Sequence, residues 1–198
     1  MSIGFSVALL MGGQSRRMGA DKAYLTDPMS GLPSWERQMR LLESLSPDER
    51  ILSLREGQTA PDGTIAWRAA FDSVTNAGPI SGLAACLDTA QQSLILMLGI
   101  DLLAMKGAVL ERLLGLASVD TGAVYQNSQG FYEPLAAVYP KSAAGSAQSF
   151  LSAGGRRLQD WLGEGVKTGW MRAVPLSGDD ESAFLNVNTK ADYVKLAE

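Results

Sequence analysis

Apolar positions along this chain fall into two kinds of pattern. Ile3–Leu10 and Leu94–Ile100 are short, nearly continuous apolar runs, the mark of strands covered by helices on both faces. Ser34–Ser46 instead carries Trp35, Met39, Leu41, Leu42 and Leu45 near helical spacing, with Pro33 at the expected helix start. Arg50–Leu54 and Thr64–Phe71 are predicted as further short strands. Gly82–Ala90, after a Gly78-Pro79 turn, and Gly107–Leu116 are predicted as helices. The resulting order, β-α-β-β-α-β-α, predicts an α/β fold with a doubly wound, mostly parallel sheet.

The C-terminal half changes character. Ala123–Gln126 and Glu133–Tyr139 flank Asn127-Ser128-Gln129-Gly130, a turn sequence that predicts an antiparallel hairpin. Helices are expected over about 142–152 and 155–163, then a strand near Met171–Leu176, a loop at Ser177–Glu181 and a last short strand at Phe184–Val187. Thr189 is the expected N-cap of a final helix. The length of 198 residues suits one domain. Within it, about 1–118 would form one half and about 119–198 the other.

A glycine-rich basic loop leaves the first strand: Met11-Gly12-Gly13-Gln14-Ser15-Arg16-Arg17-Met18-Gly19-Ala20-Asp21-Lys22. Gly12 and Gly13 lack Cβ atoms, so backbone N–H groups there can approach phosphate oxygens closely. Arg16, Arg17 and Lys22 can offset phosphate charge. The loop is neither a Walker P-loop nor a G-x-G-x-x-G fingerprint. Asp101 ends the Leu94–Ile100 run, and ligands of open parallel sheets bind beyond the strand C-termini. Magnesium takes one or two carboxylates plus phosphate oxygens, so Asp101 is either the metal ligand or an N-cap of the next helix. Asn186 and Asn188, two apart, would share one face of a strand or would lie in a turn that caps the last helix.

Composition narrows the chemistry. There is no histidine, which excludes His-based triads and His–zinc sites. Cys86 is the lone cysteine, so no disulfide forms within the chain and no multi-cysteine metal site is available. A net charge of −4 disfavours nucleic acid as a partner and leaves the basic loop suited to a small anion. No apolar run reaches membrane-spanning length, and the N-terminus lacks a signal-peptide pattern, so a cytoplasmic location is expected.

The opening segment resembles the L-x-G-G-x-S-x-R-M-G-x-D-K signature of nucleotidyltransferases, and within them it is most similar to the molybdenum cofactor guanylyltransferases. Further along, Asp72 followed by Gly78-Pro79-Ile80-Ser81-Gly82-Leu83, the pair Glu133-Pro134, the run Gly154-Gly155-Arg156-Arg157-Leu158 with Trp161-Leu162, and Phe184 with Asn186-Val187-Asn188-Thr189 match the same family in the same order. The resemblance covers Val7 to Asp192. It implies a Rossmann-like fold of the nucleotide-diphospho-sugar transferase type and transfer of GMP from GTP to molybdopterin cofactor with loss of pyrophosphate. A cytidylyl- or other nucleotidyltransferase, or a non-catalytic nucleotide-binding relative, is the alternative.

The resemblance also implies roles. Lys22, Arg17 and Asp101 would be catalytic, with Mg²⁺ on Asp101. Leu10, Met11, Gly12, Gly13, Ser15, Lys22, Ser53, Asp72, Gly78, Pro79, Gly82 and Asp101 would meet the nucleotide. Glu133, Arg156, Arg157, Asn186 and Asn188 would meet the acceptor. Handling a labile pterin implies transient molybdenum cofactor carriers or molybdoenzymes as partners. The chain departs from the family at Met11, where alanine is usual, in lacking a proline shortly after Asp101, and in a longer Thr26–Pro33 segment.

Overall fold

The computed structural model describes residues 3–11, 22–27, 30–72, 74 and 77–187. Among these residues seven strands form one sheet: β1 (Phe5–Leu10), β2 (Glu49–Leu54), β3 (Arg68–Phe71), β4 (Leu94–Gly99), β5 (Gly122–Gln126), β6 (Tyr132–Pro140) and β7 (Met171–Pro175). Their order is β3-β2-β1-β4-β6-β5-β7. All pairings are parallel except those of β6, which runs against both β4 and β5. The doubly wound, mostly parallel sheet with a late antiparallel hairpin is therefore observed.

Among the described residues five α-helices cover the sheet: α1 (Ser34–Ser44), α2 (Pro79–Thr89), α3 (Gly107–Leu116), α4 (Ala144–Ser152) and α5 (Leu158–Thr168). One face carries α1 and α3, whose Met39, Leu42, Val109, Leu110 and Leu113 pack with Val7, Leu9, Leu96 and Leu98. The other carries α2, α4 and α5, whose Ile80, Leu83, Leu151, Trp161 and Leu162 pack with Ala8, Leu10, Ile95 and Met97. Alternate residues of β1 and β4 thus enter opposite cores, which is why both strands are almost wholly apolar. Trp161 seals the second core. Its indole stacks on Tyr139 at a 5.7 Å centroid distance, lies 4.8 Å from Trp170, and donates from Nε1 to Ser146 Oγ at 3.0 Å. Among the described residues no helix is long and apolar enough to cross a membrane.

Several boundaries differ from the sequence expectation. The third strand is confined to Arg68–Phe71, because Thr64–Trp67 close a turn: Thr64 N–H and Oγ1 both donate to Pro61 O, and Trp67 N–H donates to Thr64 O. The second helix starts earlier, at Pro79, directly after Gly78. The fourth helix is preceded by a 3-10 turn at Lys141–Ala143. The fifth begins only at Leu158, since left-handed backbone at Gly154 turns the chain first. The expected loop and strand over 177–187 are instead a 3-10 helix, Gly178–Phe184, followed by residues outside any strand. Phe184, apolar and strand-like in sequence, is buried edge-on against Tyr125 at 5.6 Å. The helix expected from Thr189 lies outside the described residues.

Replacing Trp161 with alanine should destabilise the fold by about 3–5 kcal/mol, since it removes a buried aromatic body and leaves Ser146 without its donor. Trp161→Phe should cost clearly less. Urea unfolding of the three proteins checks this ordering.

Candidate functional site

The strand order reverses direction of winding between β1 and β4, and the C-terminal ends of both strands lie side by side there. Leu10 pairs with Gly99, and Ile100 N–H donates to Leu10 O at 3.2 Å. On the other side of β1, Leu10 pairs with Ser53 and Met11 N–H donates to Ser53 O at 3.2 Å. This is the crevice where open α/β sheets take ligands. Gly12, Gly13, Ser15 and Arg17, which follow β1 in the sequence, lie outside the described residues; the next described element is a 3-10 turn, Lys22–Tyr24. Met11 itself is buried in the core that α1 and α3 cover.

The β2–β3 side of the crevice is polar and crowded. Ser53, buried at the end of β2, donates from Oγ to Asp72 Oδ1 at 3.4 Å, and Asp72 N–H donates to Leu54 O. The first turn of α2 presses on this pair. A Cβ at Gly82 would stand 2.5 Å from Ser53 Oγ and 3.0 Å from Asp72 Oδ1, so position 82 tolerates no side chain while both polar groups stay. Gly78 precedes the helix at φ +75°, a backbone that favours glycine, and Pro79 supplies the fixed φ of a first helical residue. Partial burial raises the Asp72 pKa, opposed by the Ser53 hydroxyl and by the Arg55 charge. Beneath them Cys86 is wholly buried and its thiol is pushed up to about 12, so it is no nucleophile at neutral pH.

Asp101 sits just past β4. Its Oδ1 lies 2.9 Å from where a Gly99 Cβ would be, and Leu135 of β6 lies 3.1 Å from the same point. The carboxylate therefore folds over the strand end only because residue 99 is glycine. Asp101 is not a helix cap: α3 starts at Gly107, with Lys106 in the N-cap position. Its backbone carbonyl accepts from Val187 N–H at 2.9 Å. That bond brings the segment holding exposed Asn186 against the Asp101 turn, although Asn186 is not on a strand. Asn188 lies outside the described residues.

The hairpin bounds the opposite side. Because β6 runs antiparallel, its first residues reach the edge where β4 ends. Glu133 there is half-buried and accepts from Asn127 Nδ2 at 3.1 Å; burial raises its pKa, and the Asn127 bond opposes the shift. Gln159 ties α5 to this edge by bonding both the N–H and the C=O of Tyr132, at 2.9 and 2.7 Å. Arg156 and Arg157 precede α5, exposed but not equivalent. Arg156 Nη1 donates to the carbonyls of Leu151 and Gly155, at 3.2 and 2.7 Å, whereas Arg157 has, among the described residues, only a loose ion pair with Asp160 at 3.9 Å.

The described residues hold no group of three or more His, Cys, Asp or Glu able to cage a metal ion. One carboxylate at the end of β4 suits a hard cation that arrives with phosphate ligands rather than one held by protein alone. Three neighbours of the site were not singled out from sequence: Arg55, Asn127 and Gln159. Arg55 follows Ser53 at i+2, a spacing that could have drawn notice. The other two act through contacts that no local pattern displays.

Comparison with known proteins agrees with this geometry. A family model described as "MobA-like NTP transferase domain" matches residues 7–168. Over 188 residues the chain is 32% identical to a probable molybdenum cofactor guanylyltransferase of Opitutus terrae, covering 93% of this chain and 91% of that relative. The solved structure of molybdopterin-guanine dinucleotide biosynthesis protein A from Archaeoglobus fulgidus superposes with a TM-score of 0.75 at 24% identity, covering 96% and 95% of the two chains. A Mycobacterium tuberculosis H37Rv protein, solved as a complex with manganese, superposes with a TM-score of 0.64 at 16% identity over 98% and 97%.

The raised pKa values of Asp72 and Glu133 set a sign for pH dependence. Between the unfolded and the raised folded values, the folded chain holds more protons, so this contribution to stability falls as pH rises. Asp72→Asn should flatten part of that fall as pH rises above the ordinary aspartate range of about 4, measured by urea unfolding. An identical fall in both proteins would contradict the assignment. The family model spans most of the chain, and a relative 32% identical aligns over 93% of it: this chain belongs to the MobA-like NTP transferase family.

Proposed function

We propose that this protein transfers GMP from GTP to molybdopterin cofactor, releasing pyrophosphate. The observation that carries the reading is the meeting of Asp101 with the Asn186–Val187 segment at the mouth of the β1–β4 crevice, beside the strand end that the glycine-rich segment follows in the sequence. The names of the relatives supply the donor base and the acceptor.

The chemistry asks little of a general base. An acceptor phosphate oxygen, already anionic, attacks the α-phosphorus of GTP; the α–β bridging P–O bond breaks and pyrophosphate leaves. A chain without histidine is adequate for that step. Its work is alignment and charge neutralisation. Backbone N–H groups of Gly12 and Gly13 and the Ser15 hydroxyl would cradle the phosphates, with Leu10 and Met11 leading into the loop. Lys22 and Arg17 would offset charge developing on the α-phosphate and pyrophosphate. Asp101 would hold Mg²⁺ together with the nucleotide phosphates, and the ion would supply further charge neutralisation when bound. Ser53, Asp72 and the Gly78-Pro79 to Gly82 turn would hold ribose and base.

Residues 119–198 would serve the acceptor through Glu133, Arg156, Arg157, Asn186 and Asn188, while residues 1–118 serve the nucleotide. Arg157, with one loose partner, is the better anion binder of the two arginines, because Arg156 is engaged with backbone carbonyls. A soluble nucleotide donor fits a cytoplasmic enzyme, and transient carriers or molybdoenzymes would deliver the pterin and receive the product.

Pyrophosphate release is to be measured with each of the four ribonucleoside triphosphates, Mg²⁺ and molybdenum cofactor. Release with GTP alone is expected. Lys22→Ala and Asp101→Ala should each lower turnover by about 100-fold or more with little change in melting temperature. Release with CTP instead would keep the mechanism and change the product. Nucleotide binding without release would make the chain a non-catalytic relative. Separately, Arg157→Ala should raise KM for the acceptor about tenfold and leave KM for GTP unchanged, whereas Arg156→Ala should mainly lower stability. Steady-state kinetics with each substrate varied, beside thermal unfolding, distinguish the two.

A further inference from the structure

The turn that carries Asp101 out of β4, Asp101-Leu102-Leu103-Ala104-Met105, contains no proline to stiffen it. Yet Leu102, Leu103 and Met105 are each at most 3% exposed, so backbone carbonyls there leave water and need partners. Two of those carbonyls are met from α1. Gln38 Nε2 donates to Leu102 O at 2.7 Å, and Arg37 Nη2 reaches Met105 O at 3.5 Å. Gln38 is fully buried, and its Oε1 accepts from Arg37 Nη1 at 3.1 Å, which fixes the amide orientation.

The chain of contacts continues outward. Arg37 Nε stands 3.4 Å from Asp27 Oδ2, and Asp27 is 1% exposed. The same oxygen accepts from Ser30 N–H at 3.0 Å and Ser30 Oγ at 2.5 Å. The Asp27 backbone is pinned in turn by its N–H to Leu32 O and its C=O from Gly31 N–H. One polar network thus runs from the Thr26–Pro33 excursion, through the first turn of α1, to the carbonyl of the residue next to Asp101. From the other side, Leu102 N–H donates to Gly99 O and Val187 N–H to Asp101 O.

Stability alone is a poor reason for such a network. Among the described residues Asp27 Oδ1 is buried without a hydrogen-bond partner, and burial lowers the Arg37 pKa despite the nearby carboxylate. Well-packed apolar residues would avoid both costs. What the polar set provides is direction, because each donor has one acceptor and the last acceptor belongs to the Asp101 turn.

We propose that Asp27, Arg37 and Gln38 are positioning residues that hold the Asp101 turn in the geometry required for a divalent cation, with Gln38 making the decisive contact. The inference rests on the reading of Asp101 as the cation ligand. Groups that orient a metal ligand without touching the metal typically tune affinity 10–100-fold.

The test uses Gln38→Met, which keeps side-chain volume and removes the donor, and Asp27→Asn, which keeps shape and removes the charge. The Mg²⁺ concentration for half-maximal turnover should rise about tenfold in Gln38→Met, and less in Asp27→Asn, while KM for GTP at saturating Mg²⁺ stays within about twofold. Binding of Mn²⁺ to the complex with an α,β-methylene GTP analogue, followed by electron paramagnetic resonance, should weaken by the same factor without any turnover. Unchanged cation requirement and unchanged Mn²⁺ affinity in a folded Gln38→Met would overturn the proposal and leave a purely structural role. If Gln38→Met does not fold, Asp27→Asn and Arg37→Met, the latter at a partly exposed side chain, decide the same question. Asp101→Ala is the separate control. If it keeps the wild-type cation requirement, the reading of Asp101 fails, whatever Gln38 does.

Discussion

The pairing of β1 with β4 is the constraint on which the rest of the molecule depends. Each strand is buried on both faces, and together they form the seam where the winding of the chain changes direction. Helices that cover both faces leave only the strand ends free for chemistry. At those ends the backbone must turn sharply beside its neighbour, and the space is small. Position 99 has room for a hydrogen and no more, because the Asp101 carboxylate and Leu135 converge on it. The glycine, the carboxylate and the antiparallel strand beside them are one packing solution.

The two sides of the crevice are built differently. Toward β2 and β3, a helix N-terminus is driven close to a serine–aspartate pair, giving a compact polar surface with a half-buried carboxylate and its nearby arginine. Toward β6 and β5, the lone antiparallel strand presents Glu133 and docks α5 through Gln159, with two exposed arginines just ahead of the helix. A compact polar surface suits a nucleotide, and a wider one with cationic side chains suits a larger phosphorylated acceptor. Without histidine, the proposed transfer would rest on bringing two phosphates together and neutralising their charge, a use to which parallel-sheet edges lend themselves.

Elements that bury themselves by their own pattern were legible in the sequence. The strand at Leu94–Gly99, the helix at Gly107–Leu116 and the hairpin around Asn127–Gly130 stand where their periodicity and turn residues put them. Elements decided by tertiary contact were not. Phe184 looks like a strand residue, but its place against Tyr125 is set by a 3-10 turn; Thr64–Trp67 looks extended, but Pro61 captures Thr64. In the candidate site, the positions of Ser53, Asp72, Gly82 and Asp101 at the sheet edge follow from strand ends and helix starts. The Gln38 contact does not, because a glutamine on an amphipathic helix reads as solvent-facing and its partner lies 64 residues away. The difference in engagement between Arg156 and Arg157 was equally invisible, since it depends on which carbonyls the chain happens to leave nearby.

In the proposed function a cation joins nucleotide to protein through Asp101 at the β1–β4 edge. Calorimetric titration of GTP into the wild-type protein and into Asp101→Ala, each with and without Mg²⁺, separates this arrangement from its alternatives. Mg²⁺ should tighten GTP binding to the wild type, and Asp101→Ala should lose that gain while keeping the cation-free affinity. Equal tightening by Mg²⁺ in both proteins would contradict it and move the cation elsewhere.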